Sequence, residues 1–331
     1  MKHAIAACLT GAVLAASSMT SFAAEPVSLM LNWQPGGDHS PIFYALEKGW
    51  YKKAGIDLAV RSGQGSGMAA QNVGVGASDF GITDLPTAFV AMSKGANLKA
   101  VMVIYANTPF TFYWKKSSGI KGPKDFPGHT IGNPPGDAAR VMWPAFAQTV
   151  GIKLDSVKFV NLSPAAKVPA LAADRVDIIS DFYNGHDVKL EKFGKNLGFV
   201  RWSQYGINPY GNSFVVNGKY LKAHPDIVAN FVRVTQRAYA ACVKDSKPCI
   251  DALMKNASGL NRQAMVDQWR RVKELMTDKY TSIKALGYFA PAKVQKTYDL
   301  VAKYFHLQKS FDPKSAYTDK YLHMSIKMPK Q

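Results

Sequence analysis

The sequence predicts an α/β fold of two lobes, arranged as a clamshell and joined by two crossings of the chain. From "VSLMLNW" onwards, short apolar segments alternate with amphipathic ones, a pattern typical of strands and helices in a mostly parallel sheet. The same pattern restarts near residue 116, which indicates a second lobe. A strand followed by a long helix from residue 212 indicates that the chain then returns to the first lobe.

The first 24 residues have the features of a cleaved secretory leader. Lys2 gives a short positive start, residues 4–16 form an apolar run, and Ser21-Phe22-Ala23 fits the small-x-small rule for cleavage. The run is too short for a transmembrane anchor, which needs roughly 20 apolar residues. Cys8 lies too near the start for a lipoprotein signal. We therefore expect an exported protein.

The alternation of elements sets the expected element bounds. In the first lobe we expect strands at 27–33, 56–63, 78–84 and 98–106, with helices at 40–55, 65–77 and 85–97. In the second lobe we expect strands at 129–133, 157–163 and 176–184, with helices from about Asp137 and at 167–175. Beyond residue 212 the apolar positions recur mostly at helical spacing.

These elements divide the chain into four parts. After the leader (1–24), residues 25–115 form the first part of the first lobe and residues 116–211 form the second lobe. Residues 212–331 return to the first lobe and add C-terminal helices that we expect to pack on it. In open parallel sheets, ligands bind beyond the carboxyl ends of the strands, so we expect the ligand between the two lobes.

The formal charge of +18 belongs to an otherwise ordinary globular composition, with 47% hydrophobic and 19% charged residues. Loss of Lys2 with the leader lowers the charge to +17. Such a charge suits nucleic acid, an anionic membrane or anionic small ligands. The basic residues are spread along the chain, and an exported protein does not meet nucleic acid, so we expect no nucleic-acid partner.

Two cysteines remain once the leader is removed, Cys242 and Cys249 in "ACVKDSKPCI". In an oxidising compartment this pair predicts a local disulfide, and its spacing is not that of a CxxC redox site. Because the closed loop is short, its stabilisation is about 2 to 3 kcal/mol in the chain-entropy model.

No catalytic motif stands out in the sequence. The chain has no GxSxG, HExxH or GK[ST] motif, and its seven histidines are scattered with no metal-ligand spacing between them. We therefore expect a protein that is not an enzyme and that needs no cofactor or metal.

The strand-to-helix junction in "LNWQPGGDHSP" is unusually polar. The strand ends in Asn32 and Trp33, residues 35–37 turn the chain, and a helix restarts at Ser40-Pro41 just after His39. An indole beside amide and imidazole groups at the end of a strand suits a flat ligand.

Further junctions offer polar groups at equivalent strand ends. The turn "SGQGSG" places Ser66, as a helix N-cap, and Gly67 where free amides of a helix start point outward. The other candidates are Thr83 and Asp84 in the first lobe, and Gly136, Asp137, Arg140, Tyr183 and Asn184 in the second. Each has an ordinary alternative: a tight turn for the glycines, a helix cap for the aspartates and a surface loop for the tyrosine.

Taken in order, these segments resemble a known family. "LNW…DHSPIFYALEKGWYKKAGIDL", "QGSGMAAQNVGVGASDFGITD", "SGIKGPKDFPGHTIG" and "PPGDAARV" are similar to periplasmic substrate-binding proteins of ABC importers. The branch is the one that carries thiamine-precursor pyrimidines, alkanesulfonates, taurine and nitrate, and the likeness covers nearly all of the mature chain. It implies a type II clamshell, a monomer in the periplasm that presents a small solute to an inner-membrane permease.

The resemblance leaves the solute open between two chemistries. Asn32, Trp33 and His39 are most similar to the pyrimidine binders, in which a strand-end aromatic stacks on the heterocycle. Sulfonate, taurine or aromatic carboxylate binding would use helix amides and a cation, here Ser66, Gly67 and Arg140.

The same fold also serves a eukaryotic pyrimidine synthase, which is the enzyme alternative. That type of enzyme has a Cys-rich iron-binding stretch, and this chain keeps only Cys242 and Cys249 after export. An exported protein would also lack a supply of pyridoxal phosphate. Since fold alone does not give function, we favour a binding protein.

Overall fold

The structure is a computed structural model that describes residues 24–305 and 307–329. Of the expected leader, only Ala24 belongs to the described residues, so that prediction lies outside them. Within the described ranges, none of the helices combines the length and the apolar character needed to cross a bilayer.

The described residues form ten strands and fourteen α-helices. The strands are β1 (Glu25–Met30), β2 (Ile56–Arg61), β3 (Phe80–Asp84), β4 (Leu98–Val103), β5 (Phe110–Lys115), β6 (Thr130–Asn133), β7 (Lys158–Asn161), β8 (Ile178–Phe182), β9 (Leu197–Arg201) and β10 (Asn212–Asn217). The helices of the first 200 residues are α1 (Ser40–Glu47), α2 (Trp50–Lys53), α3 (Ser66–Val75), α4 (Leu85–Ser93), α5 (Ala138–Val141), α6 (Trp143–Val150), α7 (Lys167–Ala172) and α8 (His186–Phe193). The later helices are α9 (Gly218–Ala223), α10 (Pro225–Lys244), α11 (Lys247–Asn256), α12 (Arg262–Met276), α13 (Lys279–Ile283) and α14 (Pro291–Tyr304).

Two five-stranded sheets form the centres of the two lobes. The first sheet has the order β2-β1-β3-β10-β4 and the second has the order β7-β6-β8-β5-β9. We call the first lobe the first sheet with the helices packed on it, and the second lobe the second sheet with its helices. The predicted two-lobed α/β clamshell is confirmed.

Each sheet is mixed: four of its five strands run in one direction, which agrees with the expectation of mostly parallel sheets, and one strand runs against them. β10 runs antiparallel to β3 and β4, and β5 runs antiparallel to β8 and β9. Both strands follow directly on a crossing between the lobes. A strand that enters a sheet without a preceding crossover helix is free to run antiparallel to its neighbours.

The two crossings, residues 104–109 and 202–211, lie side by side. The amide of Gly211 donates to the carbonyl of Tyr105 at 2.9 Å, and the amide of Thr108 donates to the side chain of Asn208 at 2.8 Å. The second sheet therefore begins with Phe110, ahead of residue 116, where the sequence pattern places the start of the second lobe. The domain limits read from the sequence stay a proposal about folding units.

The expected helix at 40–55 is two helices in the structure. α1 ends at Glu47 and α2 begins at Trp50, because Gly49 adopts a left-handed conformation with φ of 63°. The helix expected from Asp137 is likewise divided, into α5 and α6, at Met142. Asp137 is the N-cap of α5, and its carboxylate accepts from the amides of Ala139 and Arg140.

The C-terminal helices pack mainly on the first lobe. α10 and α12 contribute Phe231, Tyr239 and Trp269 to the same apolar core as Leu29 and Ile42. The predicted disulfide between Cys242 and Cys249 is present and joins the last turn of α10 to the first turn of α11. α12 and α14 also touch the second lobe, which the sequence pattern did not indicate.

Candidate ligand-binding site

A cavity of about 230 Å³ lies between the two lobes. Its first-lobe wall is formed by Asn32, Trp33, Gln34, Pro35, Gly36, Asp38, Gly65 and Ser66. Its second-lobe wall is formed by Asp137, Ala138, Lys167, Asp181, Phe182, Asn184, Gly185 and Lys189. Leu260, Met265 and Gln268, in and before α12, close one side. Ligand pockets commonly measure about 300–1,000 Å³, so this one suits a small solute.

The first junction forms a preorganised polar wall. The amide of Gly36 donates to Nδ1 of His39 at 3.1 Å, so Nδ1 carries no proton. His39 therefore carries its proton on Nε2, which donates to Oδ1 of Asn32 at 3.1 Å. Burial lowers the pKa of His39 and outweighs the negative charge of Asp38, which raises it. The neutral form of the imidazole is therefore favoured.

His39 holds Asn32 in one orientation and does not itself line the cavity. Oδ1 of Asn32 accepts the hydrogen bond from the imidazole. The amide nitrogen of Asn32, Nδ2, donates one of its two hydrogens to the side chain of Asn212 at 3.5 Å. The other hydrogen is available to a ligand, because an amide nitrogen carries two donors. Asn32 thus offers a donor to the cavity.

Asp38 is a lining residue that is not in the set predicted from the sequence. Its Oδ2 accepts from the hydroxyl of Tyr105 at 3.0 Å. Its Oδ1 faces Nδ1 of His39 at 3.4 Å, but that nitrogen has no proton to donate in the neutral tautomer. Asp38 therefore keeps an acceptor in the same cavity wall as Asn32.

Two lysines of the second lobe are further lining residues absent from the predicted set. Nζ of Lys167 donates to the carbonyl of Ser180 at 2.8 Å and lies 3.5 Å from a carboxylate oxygen of both Asp137 and Asp181. Lys189 pairs with the other oxygen of Asp181. Both lysines are almost fully buried, with 2% and 4% of their side chains exposed.

The charges of this wall compensate one another. Burial by itself raises the pKa of Asp181, but the neighbouring Lys167 and Lys189 outweigh it and hold the pKa at about 2. Two ammonium groups thus face the two carboxylates of Asp137 and Asp181. A buried charge is stable only when it is paired, so these lysines are committed to the wall.

Trp33 connects the two walls. Its indole is half-buried and lines the cavity, and Nζ of Lys167 lies 4.3 Å from the centre of the ring system. This cation–π contact runs from the second lobe to the first. It covers one face of the indole.

The helix start at Ser66 and Gly67 contacts the second lobe directly. The amide of Gly67 donates to the carbonyl of Gly136 at 3.0 Å, so it is used between the lobes. The N-cap of α3 is Gly65 and not Ser66, which corrects the sequence-based expectation. Ser66 lines the cavity, and its hydroxyl accepts from the amide of Asp84 at 3.2 Å. The hydrogen bond between Gly67 and Gly136 joins the two lobes at the edge of the cavity.

Thr83 and Asp84 lie beneath the site, outside its lining. The hydroxyl of Thr83 donates to the carbonyl of Ser66 at 3.0 Å. Asp84 caps α4 by accepting from the amide of Thr87 at 3.0 Å. Burial raises the pKa of Asp84 to about 6. These residues support the wall from behind.

Arg140 and Tyr183 point away from the cavity, in contrast to the expectation that they face the ligand. Arg140 donates to Asn161 at 2.6 Å and stacks on Phe159. Tyr183 lies between the guanidinium groups of Arg201 and Arg271. The twelve residues predicted for the site thus separate into five that line the cavity and seven that do not. Those that line it are Asn32, Trp33, Ser66, Asp137 and Asn184.

The fold and the interlobe cavity define a clamshell of the periplasmic-binding-protein type. The chain belongs to the NMT1/THI5-like family, whose model matches residues 37–247. The resemblance inferred from the sequence segments is therefore confirmed.

Two of the curated relatives are named for pyrimidine chemistry. It is 25% identical to a 4-amino-5-hydroxymethyl-2-methylpyrimidine phosphate synthase of Legionella pneumophila, over 89% of this chain and 92% of the relative. It is 20% identical to the formylaminopyrimidine-binding protein of Halalkalibacterium halodurans, over 72% of this chain and 73% of the relative.

Most of the similar solved structures are solute-binding proteins. The alkanesulfonate-binding protein of Xanthomonas axonopodis pv. citri superimposes with a TM-score of 0.69 at 18% identity. The match covers 89% of this chain and 99% of that protein. At this identity the likeness establishes the fold alone.

Proposed function

We propose that this protein is the solute-binding component of an ABC importer and that it captures a small planar heteroaromatic solute, such as a thiamine-precursor pyrimidine. The observation that carries the proposal is the first junction. There, Asn32 with its remaining donor and Asp38 with its remaining acceptor line the same cavity wall as the indole of Trp33.

An aminopyrimidine has the complementary edge. Its amino group donates and its ring nitrogens accept, so it pairs with an acceptor and a donor set side by side. Its ring stacks on the face of Trp33 that Lys167 does not cover. Asn184 supplies a further amide from the second lobe. The similarity to a formylaminopyrimidine-binding protein supports the same class of solute.

Binding of a sulfonate, taurine or aromatic carboxylate is the second candidate, and the alkanesulfonate-binding neighbour is the observation in its favour. An oxyanion needs uncommitted donors or cations. Here Lys167 and Lys189 are paired with carboxylates, Arg140 faces Asn161, and the amide of Gly67 is bonded to Gly136. These commitments favour the heteroaromatic solute.

A pyrimidine-synthase-like activity is the third candidate, since two of the curated relatives are named as such enzymes. Within residues 24–305 and 307–329, no group of three or more His, Cys, Asp or Glu side chains could hold a metal ion. Cys242 and Cys249 are bonded to each other. The residues in hand do not fit an iron centre, so we propose no reaction through one.

The remaining parts of the proposal concern location and partners. The expected leader, together with solved neighbours that are periplasmic binding proteins, supports export to the periplasm, where a monomer would deliver its solute to an inner-membrane permease. The charge of +17 carries no role in this proposal. We further propose that residues 25–115, 116–211 and 212–331 are the folding units of the chain.

The test is a thermal-shift and calorimetric screen of the exported protein against aminopyrimidines, alkanesulfonates, taurine, aromatic carboxylates and nitrate. A solute that binds only the folded state raises the melting temperature, by RT ln(1 + [L]/Kd) in free energy. We expect an aminopyrimidine to give the largest shift. A larger shift with a sulfonate or a carboxylate supports the second candidate, and no shift with any solute contradicts the transport proposal.

Two variants sharpen the screen. Asp38→Asn keeps an oxygen for the hydroxyl of Tyr105 but weakens the acceptor, so we expect at least a tenfold loss of affinity for an aminopyrimidine, about 1.4 kcal/mol. Arg140→Gln is the matched control, because Arg140 faces Asn161 and we expect affinity within twofold of the parent protein. The opposite order of effects would favour an anionic solute.

A further inference from the structure

A two-pronged ion pair links α12 to the start of α8. Nε and Nη2 of Arg271 donate to the two carboxylate oxygens of Asp187, at 2.9 and 3.0 Å. Nη1 of the same guanidinium donates to the hydroxyl of Tyr183 at 3.0 Å. We call this the interlobe ion pair. Bidentate arginine–carboxylate pairs are the strongest and most directional of protein ion pairs.

One end of the pair is fixed to the first lobe. α12 buries Trp269 in the first-lobe core, where the indole nitrogen donates to the carbonyl of Cys242 at 3.1 Å. The residue before Trp269, Gln268, accepts from the amide of Gly37 at 2.8 Å. Arg271 therefore moves with the first lobe.

The other end is fixed to the second lobe. Asp187 lies in the first turn of α8, directly after the turn Tyr183–Gly185 that follows β8. The ring of Tyr183 is also contacted by Arg201 of β9, whose guanidinium lies 3.9 Å from the ring centre. The pair therefore spans the opening between the lobes.

Both linked segments also carry walls of the cavity. α12 contributes Met265 and Gln268, and the segment around Asp187 contributes Asn184, Gly185 and Lys189. Opening the cleft on this side separates these two sets of residues and must break the ion pair.

We propose that Arg271 and Asp187 are a positioning pair that shifts the clamshell toward its closed form and slows the release of the bound solute. The solute part of this inference rests on the proposed function, whereas the closure part does not. Only 17% of each side chain is exposed, so solvent and salt screen the pair less than they screen a surface pair.

Other charges near the pair define the controls. Arg270 also lies 3.2 Å from Asp187 but is half exposed, and Glu274 contacts Arg271 from the same helix. The hydrogen bonds from Arg271 lower the pKa of Asp187, so the pair stays ionised at neutral pH. Arg262, also on α12, pairs with Asp251 inside the first lobe and has no partner in the second.

The closure part is tested without any solute. Small-angle scattering at low ionic strength is compared between the parent protein, Arg271→Gln, Asp187→Asn and the control Arg262→Gln, which removes the same charge from the same helix. We expect a larger radius of gyration for the first two variants only. Equal radii for all four proteins would overturn the closure part.

The solute part is tested by stopped-flow dissociation of the best aminopyrimidine from the screen. We expect Arg271→Gln and Asp187→Asn each to release it about tenfold faster, and the double variant to release it no faster than either single one. Additive effects, or rates equal to that of Arg262→Gln, would overturn this part. If no aminopyrimidine binds the parent protein, the proposed function fails while the scattering experiment still decides closure.

Discussion

Asp84 is a buried carboxyl group that makes stability depend on pH. Its Oδ1 caps α4, whereas its Oδ2 is buried with no hydrogen-bond partner among the described residues. Burial raises its pKa from 3.8 to about 6. The folded protein therefore holds the proton more tightly than the unfolded chain, so this group lowers stability as the pH rises from about 4 to 6. The full cost above that range is roughly 3 kcal/mol at 1.36 kcal/mol per pH unit.

Asp84→Asn is expected to remove this pH dependence, because an asparagine oxygen still caps α4 and carries no charge. At pH 8 the variant should melt several degrees above the parent protein, and at pH 4 the two should melt within a degree or two of each other. Calorimetric melting curves between pH 4 and 8 measure the difference. An equal difference at both pH values would contradict the role assigned to the charge.

Trp33 is expected to provide most of the stacking energy for a flat solute. Stacking of a base on an aromatic side chain is worth about 1–3 kcal/mol, so Trp33→Ala should lose roughly tenfold to a hundredfold in affinity. Trp33→Phe keeps a smaller ring and should lose less. The control is Trp50→Ala, since Trp50 packs against Tyr44 and Arg237 away from the cavity. Titration calorimetry that finds equal affinity for Trp33→Ala would exclude stacking.

The sequence indicated the first junction but not the lysines opposite it. Asn32 and Trp33 interrupt an apolar strand, and that local contrast can be detected from the sequence alone. Lys167 and Lys189 lie in stretches that resemble ordinary solvent-facing helix starts, and their burial depends on two carboxylates from other segments of the chain. A visible signal was the pair of aspartates at strand and helix ends, Asp137 and Asp181, which need cations once they are buried.

At the scale of elements, the start of α3 decides how closely the lobes approach. Gly65 has φ of 137° and faces the second lobe, where an added Cβ would lie 2.2 Å from the carbonyl oxygen of Gly136. Gly65→Ala should therefore prevent the closed contact, and we expect at least a tenfold loss of solute affinity together with some loss of stability.

The matched control for this prediction is Gly49→Ala. Gly49 also has a positive φ, of 63°, but nothing lies within 4 Å of an added Cβ. It should lose stability through backbone strain alone and keep its affinity for the solute. If both variants weaken binding equally at matched stability, the contact between Gly65 and Gly136 does not control closure.

Periodicity predicted most helices and strands, and it failed where the chain changes lobe. "FTFYWK" forms the inner strand β5, between β8 and β9, but it follows the strand "LKAVMVIYA" with no helix between them, so it lacks the alternation that identifies a parallel strand. Its antiparallel direction depends on the path of the crossing, which local sequence does not encode. The split at Gly49 arises in a similar way, because a single glycine inside an amphipathic run is compatible with a continuous helix until tertiary packing decides.

At the scale of the whole molecule, the two lobes share apolar packing beside the crossings. One buried cluster contains Leu85 and Phe89 of the first lobe together with Phe112 and Phe146 of the second. Trp202, in the second crossing, is fully buried and packs on Phe146 with ring centres 4.7 Å apart. The lobes therefore move about a shared core and not about a flexible linker.

This shared core predicts that the molecule unfolds as one unit. Unfolding one lobe alone would expose the apolar residues with which the other lobe packs in this cluster, at about 25 cal/mol for each Å² of apolar surface. The interlobe ion pair and the hydrogen-bond-distance contact of Tyr304 with Thr149 would break in the same step. Scanning calorimetry without solute should show a single transition whose calorimetric and van't Hoff enthalpies agree. Saturating solute should move that transition to higher temperature without splitting it. Two resolved transitions would instead mean that each lobe is stable without the other and that the shared apolar cluster does not couple them.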